Sequence, residues 1–319
     1  MLDVIAIGEL LIDFASVDVN EEGYPTLVAQ PGGAPANFLA ALAKFGRKTS
    51  LIAKVGDDAF GHLLEKTMNE IGVNTSNLII DSSVFTTLAF VTLDANGDRS
   101  FSFARKPGAD TQIQFHEIDP TLVGKCRVIH FGTLSLTDEP ARSTTIQLIE
   151  MAKKQNKLIS FDPNLRKPLW NDLKDAKRQM IWGLTKSDVV KISDEEVEFL
   201  FGLDPESGAQ YLLDNYPIQL VYVTCGEKGC YYKNHNAQGW VQSLNNIHVV
   251  DTTGAGDIFG GSAMHKLLEM NVKPSELTKV QLDEIVNFAC TSAALSTTQF
   301  GGLKSVPAMN QIESIIKCK

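Results

Sequence analysis

Short β-branched runs alternate with amphipathic stretches along most of this chain. VIAIG (4–8) reads as a strand, APANFLAALAKFG (34–46) as a helix closed by Gly46, and TSLIAKVG (49–56) as a second strand. DDAFGHLLEKTMNEIG (57–72) has helical spacing, with Asp57 or Asp58 as cap and Gly72 as stop. The rhythm resumes with RVIHFG, ARSTTIQLIEMAKKQN, KLISFD, a helix around DAKRQMIWGL, DVVKIS, DEEVEFLFG and IQLVYVTCG. Strands recurring with helices between them predict an α/β fold, a mostly parallel central sheet with helices on both faces. DIFGGSAMHKLLEM through VQLDEIVNFACTSAALSTT reads as helices rich in small residues.

Two stretches break the rhythm. TTLAFVTLDANGDRSFSF (86–103) alternates with period two on both sides of Asn96-Gly97, a strong hairpin signal. FASVDVNEEGYPTLVAQPGG (14–33) follows the first strand and is irregular. Insertions near 14–31 and 84–107 are expected to pair as a small projecting sheet. Open α/β sheets bind ligands at the carboxyl ends of their strands, so a sheet projecting there would be a lid; a decorative hairpin is the alternative. No repeat, low-complexity segment or Pro/Gly-rich linker divides the chain, which predicts a single α/β domain over 1–319.

Composition removes several classes of function. The net charge is −9, from 38 acidic and 29 basic residues with no Lys/Arg run, so nucleic acid and anionic membranes are not expected partners. Any anionic ligand must be held locally. MLDVIAIGELLIDF lacks a basic start and is interrupted by Gly8, Glu9 and Asp13, so it reads as a first strand rather than a signal peptide. No apolar run approaches membrane-spanning length. The five cysteines are scattered and odd in number, which fits reduced thiols and a cytoplasmic setting. No His pair has metal-ligand spacing, and neither G-x-S-x-G nor a Walker A loop is present.

The densest chemistry lies in VVDTTGAGD (249–257). NIHVV before it has strand character and DIFGGSAMHKLLEM after it is helical, so Thr252 to Gly256 form a tight strand-to-helix turn. Gly254, Ala255 and Gly256 would bring backbone N–H groups to a helix N-terminus, an anion hole. Asp257 beside that anion would repel it unless the carboxylate has a task in the reaction. General base for a hydroxyl attacking a transferring phosphoryl group is such a task. Taken alone, an acid favoured by the helix dipole explains Asp257 better. GAGDIFG also approximates a dinucleotide fingerprint, but its last Gly is one residue late and no strand with an acidic end follows, so a dehydrogenase is disfavoured.

DTTGAGDIFGGSA resembles the C-terminal signature of the ribokinase-like (PfkB) carbohydrate kinases, and PGGAPANFLAALAKFGRKTSLIAKVGDDAFG resembles their N-terminal signature. The resemblance extends through GELLIDF, FDPNLRKPLW, VKISDEEVEFL, VTCGEKG and FGGLKSVP, and within the family it is strongest to fructokinases. It implies that Asp257 is the base, that Gly254, Ala255 and Gly256 form the anion hole, and that Arg166 faces the substrate or the phosphoryl group. Asp13 at the end of strand one, with Gly32, Gly33 and Asn37, would hold sugar hydroxyls, while Phe103 and Arg105 would close over them from the lid. For ATP the resemblance implies Lys191, Ser193, Glu196, Thr224, Gly226 and Gly229, with Asn287 and Cys290 along the adenine. Glu196 would hold Mg²⁺ through water, although Ser193 stands where the family's N-x-x-E motif has Asn. Asp251, Thr253, Ser296, Gln299, Gly301 and Ser305 would surround K⁺.

The resulting expectation is an ATP- and Mg²⁺-dependent kinase acting on a primary hydroxyl, with D-fructose as the favoured acceptor. The rival acceptors are 2-keto-3-deoxygluconate, whose carboxylate would use Arg105, and aminoimidazole riboside or another ribosyl compound. A non-catalytic sugar or nucleotide sensor on the same fold would be expected to lose the base or the glycines, and this chain keeps both. Lid edges that pair between protomers would give a homodimer.

Overall fold

The computed structural model describes residues 1–93, 99–244 and 247–318, and in them the strands form two sheets. Elements are numbered in chain order. The larger sheet has the order β13-β12-β11-β10-β9-β8-β1-β4-β5. Its parallel members are β1 (Leu2–Ile7), β4 (Thr49–Gly56), β5 (Asn74–Asp81), β8 (Cys126–Gly132), β9 (Leu158–Asp162), β10 (Val189–Ser193) and β11 (Leu220–Thr224). Antiparallel β12 (Cys230–Asn234) and β13 (Gln238–Val241) close one edge. The smaller sheet runs β3 (Pro25–Gly32), β2 (Leu11–Val19), β6 (Leu88–Leu93), β7 (Arg99–Ala104).

The helices are α1 (Ala34–Lys44), α2 (Ala59–Glu70), α3 (Thr121–Gly124), α4 (Ala141–Lys154) and α5 (Leu173–Lys186), then α6 (Asp194–Phe201), α7 (Pro205–Asn215), α8 (Ala255–Met270), α9 (Lys279–Ser296) and α10 (Met309–Lys317). They cover both faces because strand side chains alternate. In β1, Val4 and Ala6 belong to the core on the face covered by α1, α8 and α9, whereas Ile5 and Ile7 belong to the core on the face covered by α4, α5 and α7. A strand buried on both sides explains why VIAI reads as a continuous apolar run. No helix among the described residues is long and apolar enough to cross a membrane.

The two irregular insertions do pair as a small sheet, β2 with β6 in parallel and β6 with β7 antiparallel. Asn96-Gly97 lies outside the described residues. The first insertion begins earlier than the sequence pattern places it: β2 starts at Leu11, so Asp13 sits on the small sheet and not at the end of β1. Gly8 ends the run that pairs with β4 and β8, and from Ile12 the chain bonds to β6 instead. A second difference is at Ile247–Val250, which is not a strand despite its branched residues. Val250 and Asp251 donate their N–H groups to Thr297 O at the end of α9, and Val249 is exposed, so no pleated surface is present for it to join.

Candidate active site

Chain order reverses beside β1: successive strands run outward through β4 and β5 on one side, and through β8 to β11 on the other. A crevice is expected at the carboxyl ends there. A cavity of about 800 Å³ lies there, walled by Asp13, Gly33, Asn37, Arg166, Gly254 and Asp257, with Phe103 reaching in from β7.

Its floor is the start of α8. Gly254 is the N-cap, at φ 75°, and provides no side-chain cap. A Cβ at 254 would lie 2.9 Å from Asn37 Nδ2 and 3.0 Å from Gly302 Cα, so both conformation and space require glycine. The Ala255 N–H donates to Thr252 O at 3.3 Å, which takes it out of the expected anion hole and leaves the N–H groups of Gly254, Gly256 and Asp257 as the donors for an anion. Asp257, in the first turn, is buried. Asn37 Nδ2 donates to its Oδ2 at 2.9 Å, and Asn164 Nδ2 approaches its Oδ1 at 3.5 Å. Burial raises the Asp257 carboxyl above the ordinary carboxylate range, opposed by the Asn37 hydrogen bond and then by the charges of Lys191 and Arg166.

The opposite wall comes from β2, β3 and β7. A Cβ on Gly32 would collide with the Asp13 carboxylate, and one on Gly33 (φ 119°) would lie 2.5 Å from Glu9 O, so this glycine pair makes room for a carboxylate and a close backbone turn. Burial lifts Asp13 to about 7; Arg166 opposes the rise while Asp257 and Asp251 add to it. Glu9 also lines the cavity, its Oε1 accepting from Ala34 N at 2.7 Å, and burial raises it to about 8 against that bond.

Several expected residues lie elsewhere. Arg105 does not line the cavity: it is buried, with Nη2 2.6 Å from Asp110 Oδ2, Nη1 donating to Thr137 Oγ1 and Nη2 to Leu134 O, each at 2.8 Å. With this many acceptors the guanidinium braces the base of the small sheet instead of hanging over a substrate. Lys191 lies behind Gly256, paired with Asp162 at 3.1 Å, and likewise does not line the cavity. Ser193 and Glu196 form a capping box at the start of α6, in which Glu196 Oε2 accepts from Ser193 N at 2.9 Å and Oε1 from Leu165 N at 2.7 Å. Glu196 thus anchors the loop that carries Arg166.

Beyond β11, Thr224 leads into a turn with Gly226 at φ 54° and Gly229 at φ 97°. A Cβ on Gly229 would collide with Val241 O, placing this turn against a groove of about 730 Å³ lined by Val241, Gln242, Ser243, Leu244, Ser314 and Ile315. Neither Asn287 nor Cys290 lines that groove: Asn287 borders a separate cavity with Glu284 and Glu313, and Cys290 is buried against β13. The helical spacing that puts both residues on α9 does not by itself say which face meets the groove.

Asp251 clasps two loops. Its Oδ1 accepts from Thr253 N (2.9 Å) and Oγ1 (2.7 Å), and its Oδ2 from Gly301 N (3.0 Å). Ser296, the last residue of α9, and Ser305, on the loop that follows, donate their hydroxyls to Ala293 O and Gly302 O, while Gln299 N donates to Ser296 O. No group of three or more His, Cys, Asp or Glu residues among the described residues could hold a metal, so a cation here would rest mainly on carbonyl and hydroxyl oxygens.

Glu9, Asp162 and Asn164 were not singled out from the sequence. Asn164 carried a signal, since Asn following Pro in DPNLR is a residue that tolerates the left-handed conformation it adopts, φ 44°. Glu9 stands two residues after one apolar strand and Asp162 at the end of another, where carboxylates in an α/β protein face the site.

A model of pfkB family carbohydrate kinases matches residues 1–309. Fructokinase-2 of Solanum lycopersicum is 37% identical over 321 aligned positions, covering 98% of this chain and 96% of that protein. Among solved structures, fructokinase with bound ATP from Xylella fastidiosa superposes with a TM-score of 0.90 at 28% identity, covering 99% of each chain. Fructokinase from Vibrio cholerae O395, in a fructose, ADP and calcium ion bound form, gives 0.85 at 30% identity over 98% of each. Two signatures meeting at one cavity, a whole-length family match and a shared ribokinase-like fold lead to one assignment: the chain belongs to the pfkB family and is a carbohydrate kinase.

Proposed function

We propose that this kinase transfers the γ-phosphoryl group of ATP to the primary hydroxyl of D-fructose, giving fructose 6-phosphate, with Asp257 as the base. The observation that carries the reading is a buried carboxylate in the first turn of a helix whose N-terminal N–H groups open onto the acceptor cavity. The attacking hydroxyl gives its proton to Asp257 as its oxygen bonds to phosphorus and the bond to the departing ADP breaks. Charge on the transferring group is met by the N–H groups of Gly254, Gly256 and Asp257 and by the Arg166 fork.

Asp13 and Asn37 supply acceptor and donor groups for a polyol, and the Gly32-Gly33 turn lets the sugar approach the backbone. A neutral sugar suits this cavity better than 2-keto-3-deoxygluconate, because Arg105, the cation an acid would have used, is engaged by Asp110. The fructokinase names of the relatives, and the fructose in the Vibrio cholerae structure, support the same acceptor. The turn at Gly226 and Gly229, beside the Val241 groove, suits the nucleotide.

The oxygens present fit the two cations that the family implies. Glu196 has both oxygens engaged by backbone N–H groups, so its part in holding Mg²⁺ runs through water, with the cavity-lining Glu195 beside it. Mg²⁺, when bound, offsets charge on the ATP phosphates. The Asp251 clasp and its hydroxyl- and carbonyl-rich loops fit K⁺ rather than a transition metal, and K⁺ would supply a fixed positive charge behind the turn.

Coupled ADP release with fructose, 2-keto-3-deoxygluconate, ribose and aminoimidazole riboside side by side tests the assignment. Turnover should be selective for fructose; selectivity for the acid or a riboside replaces the acceptor, and no turnover with any of them favours a sensor.

A further inference from the structure

Lys191 lies behind the anion hole. Its Nζ is 3.1 Å from Asp162 Oδ2 and 3.4 Å from Oδ1, and a Cβ built on Gly256 would stand 3.0 Å from Nζ and 3.6 Å from Cε. Among the described residues no other group outside α8 would lie within 4 Å of that Cβ, so the bare side of Gly256 faces the lysine. Asp162 Oδ1 also accepts from Asn164 N at 3.2 Å, and Asn164 Nδ2 reaches towards Asp257 Oδ1. A single buried carboxylate therefore holds both the ammonium behind the turn and the amide beside the base.

The rear of this pair is closed by Phe38, His130, Ser160 and Tyr222 around a space about the size of one water. His130 stacks on Phe38 with ring centroids 3.7 Å apart, and burial, aided by the Lys191 charge, holds its imidazole down at about 3. It is neutral at physiological pH and adds no charge to the pair. An ammonium beside a helix N-terminus opposes the dipole, and a buried ion pair is weak evidence for stability. Its placement is accounted for by fixed charge and fixed geometry beside a site where a phosphoryl group is transferred.

We infer that Asp162 is a positioning residue: through Lys191 and Asn164 it fixes the first turn of α8 and the Asp257 carboxylate for phosphoryl transfer. This rests on the reading of Asp257 as base. The test compares Asp162→Asn, the neutral pair Asp162→Asn/Lys191→Met, and Asp257→Asn by fructose-dependent ADP release, with KM for fructose and ATP and a thermal unfolding midpoint for each.

Both Asp162 variants should lose roughly 10- to 100-fold in kcat, with either KM changing by less than about threefold. The double variant should be no worse than the single, because the two residues act as a unit. It removes both charges at nearly constant shape, so it should fold even where the single variant does not. Wild-type kcat in the folded double variant overturns the inference, as does a change confined to KM. If Asp257→Asn also keeps its activity, the fault lies in the reading of the base; if Asp257→Asn is inactive beside a fully active double variant, only the positioning role fails.

Discussion

The two walls of the cavity are built differently. On the α8 side, Asp257, Asn37, Asn164 and Asp162 are all buried, and hydrogen bonds tie residues that are 220, 93 and 2 positions apart in the chain. On the small-sheet side, Asp13 and Phe103 reach the cavity from strands whose neighbours Val17, Val19, Tyr24 and Val28 are exposed. The first wall has the fixed geometry that proton and phosphoryl transfer need. The second is anchored at its base by Arg105 and exposed towards its tip, which suits an element that selects and covers an acceptor. Substitutions on the first wall should therefore act on kcat, and those on the second on KM.

The sharpest contrast is Asp257→Asn, which should lower kcat by a factor of about 10²–10⁴ while the thermal midpoint holds or rises, since a buried carboxylate is replaced by a neutral isostere. Gly254→Ala should follow. The Cβ meets Asn37 in a backbone conformation with positive φ, so kcat should fall roughly 10- to 100-fold and stability by about 1–3 kcal/mol, read by steady-state kinetics and denaturant unfolding. Asp13→Asn should raise KM for fructose by about tenfold with a smaller change in kcat, because a charged acceptor for hydroxyls is lost.

The same variant has a pH signature. Asp13 and Glu9 are raised to about 7 and 8, so the stability tied to their protonated forms is complete below about pH 4 and is lost as pH rises through those values. Without ligands, the thermal midpoint should fall between pH 5.5 and 8.5, and it should fall less in Asp13→Asn. A slope that the substitution leaves unchanged would remove Asp13 from the account. Smaller still, Phe103→Ala should raise KM for fructose about threefold with kcat retained. Smallest is Ser193→Asn, which keeps a capping oxygen at the start of α6 and should leave kcat within about twofold.

Much of this architecture was legible in the chain because local patterns and tertiary context agree. The two-sided burial of β1 wrote an unbroken apolar run, and the glycine at 254 marked a turn that nothing bulkier fits. Legibility failed where a side chain's direction decides its role. Arg105 reads as a lid residue from its place after β7, but Asp110, five positions on, captures it. Lys191 reads as a nucleotide ligand from the motif around it, but alternation along β10 and the Asp162 carboxylate send it behind Gly256. Ile247–Val250 has strand composition without a neighbouring strand, and composition cannot supply one.

The role of Asp257 is decided by a single-turnover quench of phosphoryl transfer from ATP to fructose, comparing wild-type protein with Asp257→Asn at saturating concentrations of both ligands. With Asp257 as the base, the mutant binds fructose and ATP with affinities close to wild type, yet transfers the phosphoryl group slower by at least about 10². Transfer at the wild-type rate would contradict that role, since the carboxylate at the start of α8 would then be a helix-terminal acid and not the base.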